Sequence, residues 1–238
     1  MDDGIYSVLA IGQSNMAGRG YIEEVPQINN EKCLMLRMGR WQPLSDPVNT
    51  DRCCDMRADW RSGVGPQSGF ADHLSTLLNQ KVGMIPCADG GTTLCQWMPG
   101  EILYDHAVFQ ARLAMRTSKF AGIIWHQGES DCPEPHVEDY KEKLIEMLTA
   151  MRKELGALDK PIILGELSEH ATPKWNMPVD VVRAMNCAIR EAAESMPKAA
   201  VVSVEGLTIQ GDGIHFDAAS QRILGKRYAD AFYELMKD

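Results

Sequence analysis

Three residues of the chain have the types and spacing of a nucleophile, a base and the carboxylate that orients the base. Ser14 lies in Ile11-Gly-Gln-Ser-Asn-Met-Ala-Gly18, directly after a short apolar run, and Asp212-Gly-Ile-His215 precedes the last helical pattern. A serine hydroxyl is a weak nucleophile at neutral pH, so it requires a base, and the base requires a group that fixes its tautomer. From three residues away, the carboxylate of Asp212 can reach Nδ1 of His215 while Nε2 points at Ser14. The pattern predicts acyl transfer.

Each of these residues also has a structural alternative. Ser14 could cap a helix that begins near Asn15, because serine is common at such junctions. His215 could be an ordinary hydrogen-bonded histidine, and His126 is the second choice as the base.

Acyl transfer also needs donors for the oxyanion that forms. Gly90 follows one apolar run and offers an unobstructed backbone N–H, and Gln127 follows another and offers a neutral amide NH₂. Either residue could instead serve only a turn or a strand end.

Glu129 allows several interpretations. With Asp212 or Asp131 it could form the carboxylate pair of a glycosidase. A metal site with His126 and Asp131 has little support, since the spacing lacks a recognisable ligand framework. We favour a structural role for Glu129, orienting its loop or Arg19.

The apolar patterns predict an α/β fold in which strands alternate with helices. We expect strands over 5–11, 81–87, 120–126, 161–167 and 199–204, and helices over 69–79, 104–118, 136–155, 179–195 and 218–237, the last capped by Asp217. Such strands form a parallel sheet covered on both faces, here a five-stranded three-layer α/β/α sandwich. Ser14, Gly90, Gln127 and His215 all follow strands, so they are predicted to meet at the carboxyl edge of the sheet, where ligands bind.

The segment 39–69 has three prolines, two tryptophans and little periodicity, which predicts a loop acting as a flap over the site. Tryptophans are more often anchors of a core or loop than platforms for a sugar. Those that could contact a sugar are Trp97, after the Gly90-Gly91 turn, and Trp41 or Trp60 in this segment.

Length and composition indicate one domain over 1–238, because 238 residues with 45% hydrophobic and 24% charged residues are ordinary for a single globular domain. A net charge of −9 without a basic run argues against nucleic acid as a partner. No run reaches the ~20 apolar residues of a membrane span. The odd number of cysteines, seven, forms no framework, so we expect reduced thiols and a cytoplasmic location, although a removed signal peptide would leave the same sequence.

Five motifs in order along the chain resemble the SGNH hydrolases, in the branch of the sialate O-acetylesterases and the acetylxylan esterases of carbohydrate esterase family six. They are Gly12-Gln-Ser-Asn-Met-Ala-Gly-Arg-Gly20, Gly63-Val-Gly-Pro66 leading into Phe70-Ala71, Gly90-Gly-Thr92, Trp125-His-Gln-Gly-Glu-Ser-Asp131 and Asp212-Gly-Ile-His-Phe216.

The resemblance implies a flavodoxin-like sheet, Ser14 as nucleophile, and Asp212 and His215 as the rest of a triad. It implies an oxyanion hole of Ser14 N–H, Gly90 N–H and the Gln127 amide, with Gly91 as the alternative to Gly90. Gln13 and Gln127 stand where the wider superfamily has Asp and Asn, as in the acetylesterase branch. Residues expected to bind substrate or support the site are Gln13, Gly91, Trp97 and Glu129.

We therefore expect a serine esterase, independent of metal and cofactor, that removes O-acetyl groups from a carbohydrate. Acetylated xylo-oligosaccharides, other hemicellulose fragments and O-acetyl sialic acid are all candidate substrates. The alternatives are a lipid or thioester hydrolase on the same fold and a non-catalytic carbohydrate-binding protein. The oligomeric state is not predicted.

Overall fold

The structure, a computed structural model, describes residues 4–51, 61–132, 137–170 and 175–237. Within these ranges a single sheet contains seven strands, and six α-helices accompany it. The strands are β1 (Ile5–Gly12), β2 (Cys33–Arg37), β3 (Arg40–Pro43), β4 (Lys81–Pro86), β5 (Lys119–His126), β6 (Ile162–Gly165) and β7 (Ala199–Val202). The helices are α1 (Ser14–Ala17), α2 (Pro66–Leu78), α3 (Ile102–Met115), α4 (Val137–Glu154), α5 (Val179–Glu194) and α6 (Ala218–Lys237).

The strand order is β3-β2-β4-β1-β5-β6-β7, and all neighbouring pairs are parallel except β2 with β3. The five predicted strands are present, and β1 lies between β4 and β5 as in a flavodoxin-like sheet. The strand count was wrong because β2 and β3 were missed. β3 is a short edge strand whose four residues are all partly or fully exposed, so it carries no apolar run that could reveal it.

Side chains alternate along β1 and feed two separate cores. Leu9 and Ile11 belong to the core under α3, α4 and α5, whereas Val8 and Ala10 belong to the core under α2 and α6. On the α2 and α6 side, the rings of Phe70 and Phe232 meet edge to face at 5.4 Å. Burial of both faces explains why the central strands are apolar throughout.

The two ends of the segment 39–69 are regular secondary structure, so the loop expected there is shorter than predicted. Its role as a flap stays a prediction. The segment includes β3 and the start of α2, and Val64 forms an isolated bridge with Gly20. Trp41 lies in β3, and its Nε1 donates to Thr117 Oγ1. Residues 52–60, which include Trp60, lie outside the described residues.

The sheet edge that carries the candidate residues is fixed where β1 ends. Gly12 has φ of 129°, and a Cβ there would lie 2.1 Å from the carbonyl oxygen of His126, so only glycine fits between β1 and β5. Because β4 and β5 lie on opposite sides of β1, the strand order reverses at β1. The loops at the carboxyl ends of these strands therefore run apart and leave a crevice beside Ser14.

Two further observations concern the whole described part of the chain. Its five cysteines, at positions 33, 87, 95, 132 and 187, are free thiols. None of its helices is both long and apolar enough to cross a membrane.

The predicted cap of α6 is confirmed, since Asp217 Oδ1 accepts the N–H of Ser220 at 2.7 Å.

Candidate active site

Ser14 is the first residue of the short helix α1 and lies directly after β1. Its side chain is nearly buried, at 7% exposure, and Gln13 occupies the N-cap position of α1, so the interpretation of Ser14 as a helix cap was wrong. As one of the first N–H groups of a helix, the Ser14 N–H has no acceptor inside α1. This end of β1 therefore presents both a hydroxyl and a backbone donor.

Asp212 and His215 form a closed turn after β7. Asp212 Oδ2 lies 2.6 Å from His215 Nδ1, and Asp212 Oδ1 accepts the N–H groups of Ile214 and His215, each at 3.0 Å. Burial raises the pKa of Asp212, but the electrostatic attraction and hydrogen bonds of His215 and the N–H of Ile214 outweigh it, so the pKa lies below the ordinary carboxyl value. The carboxylate is ionised at neutral pH and holds the Nδ1 side of the imidazole.

Ser14 and His215 line one cavity of about 310 Å³. No hydrogen bond joins the two side chains in the structure, and such contacts commonly tighten only when substrate binds. Among the described residues, the lining consists of Gln13, Ser14, Arg19, Gly90, Gly91, Thr93, Glu129, Ser130, Trp175, Met177, Ile214 and His215.

Gly90 borders this cavity, and its N–H donates to Asp51 Oδ2 at 2.9 Å. Asp51 also pairs with Arg19 at 2.7 Å in a buried ion pair. Burial raises the pKa of Asp51, but the guanidinium of Arg19 and the N–H of Gly90 lower it by a larger amount, so the pKa lies below its ordinary value. A Cβ on Gly90 would lie 2.4 Å from Arg19 Nη2, so any larger residue there would have to displace the guanidinium from this pair. Sequence reasoning missed Asp51 because no motif contains it.

Gln127 is not positioned as predicted. Its side chain is fully buried, and its Nε2 donates to Thr92 O at 2.9 Å, Asp131 Oδ2 at 2.5 Å and Gln13 Oε1 at 3.1 Å. An amide NH₂ has only two hydrogens, so these acceptors leave none for an oxyanion. Gln127 does not line the cavity, and its contacts are those of a side chain that holds neighbouring loops.

Gln13 has the arrangement that Gln127 lacks. Its Oε1 accepts from Gln127 Nε2 at 3.1 Å, from Ser130 N–H at 3.2 Å and from Gly128 N–H at 3.4 Å. Because three donors fix the oxygen, the amide has one orientation. Its Nε2 has no acceptor among the described residues, and Gln13 lines the cavity beside Ser14.

Glu129 lines the cavity as expected, but it does not pair with Arg19, so that part of the prediction was wrong. Its Oε1 accepts from Asn15 Nδ2 at 2.6 Å. The carboxylates proposed as its glycosidase partners have other contacts, since Asp131 accepts from Gln127 and Asp212 from His215. Within the described ranges, no group of three or more His, Cys, Asp or Glu side chains is arranged to hold a metal ion.

The side chains of His126 and Trp97 are both buried and do not line the cavity. His126 is fully buried, and burial lowers its pKa against the opposing effect of Glu129, so the ring is neutral. Trp97 is also fully buried; its Nε1 donates to Thr92 Oγ1 at 3.0 Å, and its ring meets Trp125 edge to face. Trp97 therefore supports the Gly90-Gly91 loop and does not reach a ligand.

Within the part of the chain that the structure describes, the aromatic side chain lining the cavity is Trp175. Its Nε1 donates to the carbonyl oxygen of Asp212 at 2.9 Å, which ties the ring to the turn of His215. Nothing in the sequence distinguishes Trp175 from the other tryptophans, because it stands in no motif.

Comparisons with known proteins define the class to which this site belongs. The profile of the family described as "Carbohydrate esterase, sialic acid-specific acetylesterase" matches residues 5–234. The chain belongs to this family, which makes it a carbohydrate esterase by family.

Individual relatives agree with this assignment. The chain is 27% identical over 245 residues to "Probable carbohydrate esterase At4g34215" of Arabidopsis thaliana, covering 93% of this chain and 87% of that protein. The X-ray structure of the same Arabidopsis protein superposes with a TM-score of 0.80 at 26% identity and covers 97% of this chain and 98% of that one. The crystal structure of NanS also gives a TM-score of 0.80, at 18% identity, with 99% of this chain and 98% of that one covered, and this likeness concerns the fold.

Proposed function

We propose that the protein is a serine esterase that removes O-acetyl groups from carbohydrates through an acyl-enzyme. The observation that carries the proposal is the 2.6 Å contact between Asp212 and His215 at the wall of the cavity that also contains Ser14. A carboxylate on Nδ1 fixes the tautomer in which Nε2 can accept a proton, which is the requirement for activating a serine.

In the first half of the reaction, Ser14 Oγ attacks the acetyl carbonyl carbon while His215 Nε2 takes the hydroxyl proton. Asp212 stabilises the imidazolium that forms. The tetrahedral intermediate then expels the sugar oxygen, which receives the proton from His215. Water repeats the sequence on the acetyl-enzyme, releases acetate and restores the Ser14 hydroxyl. Every step uses only side chains of this chain and water.

The negative charge of the intermediate requires donors that have no other acceptor. We assign this role to Ser14 N–H and to Gln13 Nε2, whose amide orientation is fixed by the three donors on its oxygen. Gln13 takes the role that sequence comparison gave to Gln127. Gly90 N–H donates to Asp51, so it contributes to the oxyanion only when it leaves that carboxylate.

The lining of the cavity supports a small acyl group on a sugar. Trp175, Met177 and Ile214 provide an apolar wall, and Gln13, Thr93 and Ser130 add polar groups. Aromatic faces beside polar donors suit a pyranose ring, which has both apolar and hydroxyl surfaces. O-acetylated xylo-oligosaccharides, other hemicellulose fragments and O-acetyl sialic acid are the substrates to compare.

The decisive test of this proposal is removal of the nucleophile. Ser14→Ala should lower kcat on p-nitrophenyl acetate by at least 10³-fold while the folded state is retained, because the residues of such a site act as a unit. Ser7→Ala is a matched control, since Ser7 lies buried at the opposite end of β1 and should leave the rate within threefold of wild type. Activity of Ser14→Ala within tenfold of wild type rules out the mechanism.

A second measurement defines the substrate. Acetate release from a panel of acetylated xylo-oligosaccharides, other hemicellulose fragments and O-acetyl sialic acid would rank the candidates directly. A protein that binds these glycans without releasing acetate from any of them would be a carbohydrate-binding protein, contrary to the proposal.

A further inference from the structure

Asn15, the residue after Ser14, holds the chain on both sides of His215. Its Nδ2 donates to the carbonyl oxygen of Ile214 at 3.2 Å, and its Oδ1 accepts the N–H of Phe216 at 3.1 Å. One buried amide therefore bonds to the residues before and after the histidine, from a position 199 residues away in sequence. Since α1 carries both Ser14 and Asn15, these bonds link the position of His215 to the element that presents the hydroxyl.

Glu129 determines which way the Asn15 amide points. Glu129 Oε1 accepts from Asn15 Nδ2 at 2.6 Å, and an ionised carboxylate accepts hydrogen bonds but cannot donate them. The amide nitrogen must therefore face Glu129 and Ile214, and the oxygen must face Phe216. Reversing the amide would set an oxygen against a carboxylate and leave the Phe216 N–H without its acceptor.

The surroundings of Phe216 make this arrangement rigid. Phe216 is fully buried, and its ring meets His126 edge to face with centroids 5.8 Å apart. On the other side, Gln221 Nε2 donates to the backbone oxygen of Asn15 at 3.1 Å, so α6 also holds the backbone of α1. The loop of His215 is thus fixed by the packing of the Phe216 ring, and α1, which bonds to this loop through Asn15, is itself held by α6.

We propose that Asn15, oriented by Glu129, is a positioning residue that holds His215 in line with Ser14. This inference rests on the proposed function, because it assigns His215 the role of the base. Neither Asn15 nor Glu129 exchanges a proton with substrate in this scheme; Glu129 acts through Asn15. Displacement of a reacting group by about 1 Å can cost on the order of 10² in rate, which sets the size of the expected effect.

The test compares the variants Asn15→Leu, Glu129→Leu and Glu129→Gln on p-nitrophenyl acetate. Asn15→Leu should lower kcat about 100-fold with KM within twofold of wild type, since the binding cavity is kept while the base moves. Glu129→Leu should lower kcat at least tenfold. Glu129→Gln should remain within threefold, because the glutamine oxygen still accepts from Asn15.

The double variant N15L/E129L separates positioning from chemistry. If Glu129 acts through Asn15, the double variant should be no slower than Asn15→Leu alone, within threefold. Losses that multiply, or a loss of 100-fold or more in Glu129→Gln, would assign Glu129 a chemical role of its own and overturn the proposal. An Asn15→Leu variant with kcat within threefold of wild type would overturn it as well.

Asn186→Leu is the matched structural control. Asn186 is a buried asparagine that accepts the N–H of Leu167 at 2.7 Å and donates to its carbonyl oxygen at 3.0 Å, away from the His215 loop. Its replacement should lower Tm to a similar extent as Asn15→Leu and leave kcat within threefold of wild type. A 100-fold loss of kcat in this control would mean that the effect of Asn15→Leu is general destabilisation, against the proposal.

Folding and the proposed function are checked in the same series. If Asn15→Leu does not fold, Asn15→Asp takes its place: it keeps an oxygen for Phe216 N–H, loses the donor to Ile214 when ionised, and should lower kcat at least tenfold at pH 8. Ser14→Ala is assayed alongside. If Ser14→Ala is as active as wild type, the proposed function fails; if it is inactive while the Asn15 variants keep kcat within threefold, only the positioning role fails.

Discussion

Replacing Asp212 with asparagine should lower kcat about 10⁴-fold, and the structure gives the reason for this magnitude. Asp212 Oδ1 accepts two backbone N–H groups, from Ile214 and His215, each at 3.0 Å. Asp212 Oδ2 accepts from Gln210 Nε2 at 3.1 Å as well as facing His215, but a side-chain amide can turn whereas the two backbone N–H groups cannot. In Asp212→Asn the amide oxygen therefore keeps the two backbone donors, and the NH₂ group takes the place of Oδ2 and faces His215 Nδ1. An NH₂ donor requires a bare Nδ1, which moves the imidazole proton to Nε2 and removes the acceptor for the Ser14 proton.

A loss of about 10⁴ corresponds to about 5.4 kcal/mol in transition-state stabilisation, since each factor of ten in rate is ~1.36 kcal/mol. If the amide oxygen faced Nδ1 instead, the correct tautomer would survive and only the charge-assisted part of the bond would be lost. A neutral hydrogen bond is ~1–2 kcal/mol weaker than a charged one, which predicts a loss of only about 5- to 30-fold. The two orientations are therefore separated by more than two orders of magnitude in kcat.

The assay is single-turnover release of p-nitrophenol from p-nitrophenyl acetate at pH 8, with the fold checked by circular dichroism. Asp217→Asn is the control, because Asp217 accepts from Ser220 N–H at the start of α6 and asparagine also caps helices. This control should stay within threefold of wild type. A loss below 30-fold in folded Asp212→Asn would refute the argument from the two backbone donors.

Two further predictions concern residues beside the cavity. Gln13→Glu keeps the acceptor oxygen and loses the NH₂ donor, so kcat should fall by about 10²–10³; a change below threefold in steady-state kinetics would remove Gln13 from the oxyanion hole. Asp51→Asn breaks the buried pair with Arg19 and should cost about 3–5 kcal/mol in the free energy of unfolding at pH 7. Because the pKa of Asp51 is lowered in the folded state, its stabilisation is complete above about pH 4 and is lost as pH falls further, so the difference from wild type in urea titrations should shrink at pH 3.

The sheet shows which elements a single sequence predicts well. Central strands such as β1 and β5 are buried on both faces, so their apolar runs are continuous and easily found. β3 pairs along one edge only and keeps polar side chains in solvent. It is held to β2 by backbone hydrogen bonds, which do not depend on residue type and so cannot be predicted from its sequence. The loop expected over 39–69 was drawn too long at its amino-terminal end for the same reason.

The two glutamines show the corresponding limit for the site. Gln13 and Gln127 have the same donor and acceptor inventory, and motif comparison assigned the oxyanion role to Gln127. Folding sets three acceptors around the NH₂ of Gln127 and three donors around the oxygen of Gln13, which consumes the NH₂ of one residue and leaves that of the other available. No spacing rule distinguishes them, because the neighbours come from separate loops.

The sequence by itself determined the alternation of strands and helices and the contact of Asp212 with His215, because hydrophobic periodicity and a three-residue separation are local properties of the chain. Only the tertiary structure decided that Asn15 bonds to both neighbours of His215, that Asp51 pairs with Arg19, and that the NH₂ group of Gln127 is occupied by three acceptors. These contacts join segments far apart in the chain, and buried polar groups choose among many possible partners according to which ones the packing of the whole domain brings within hydrogen-bonding distance.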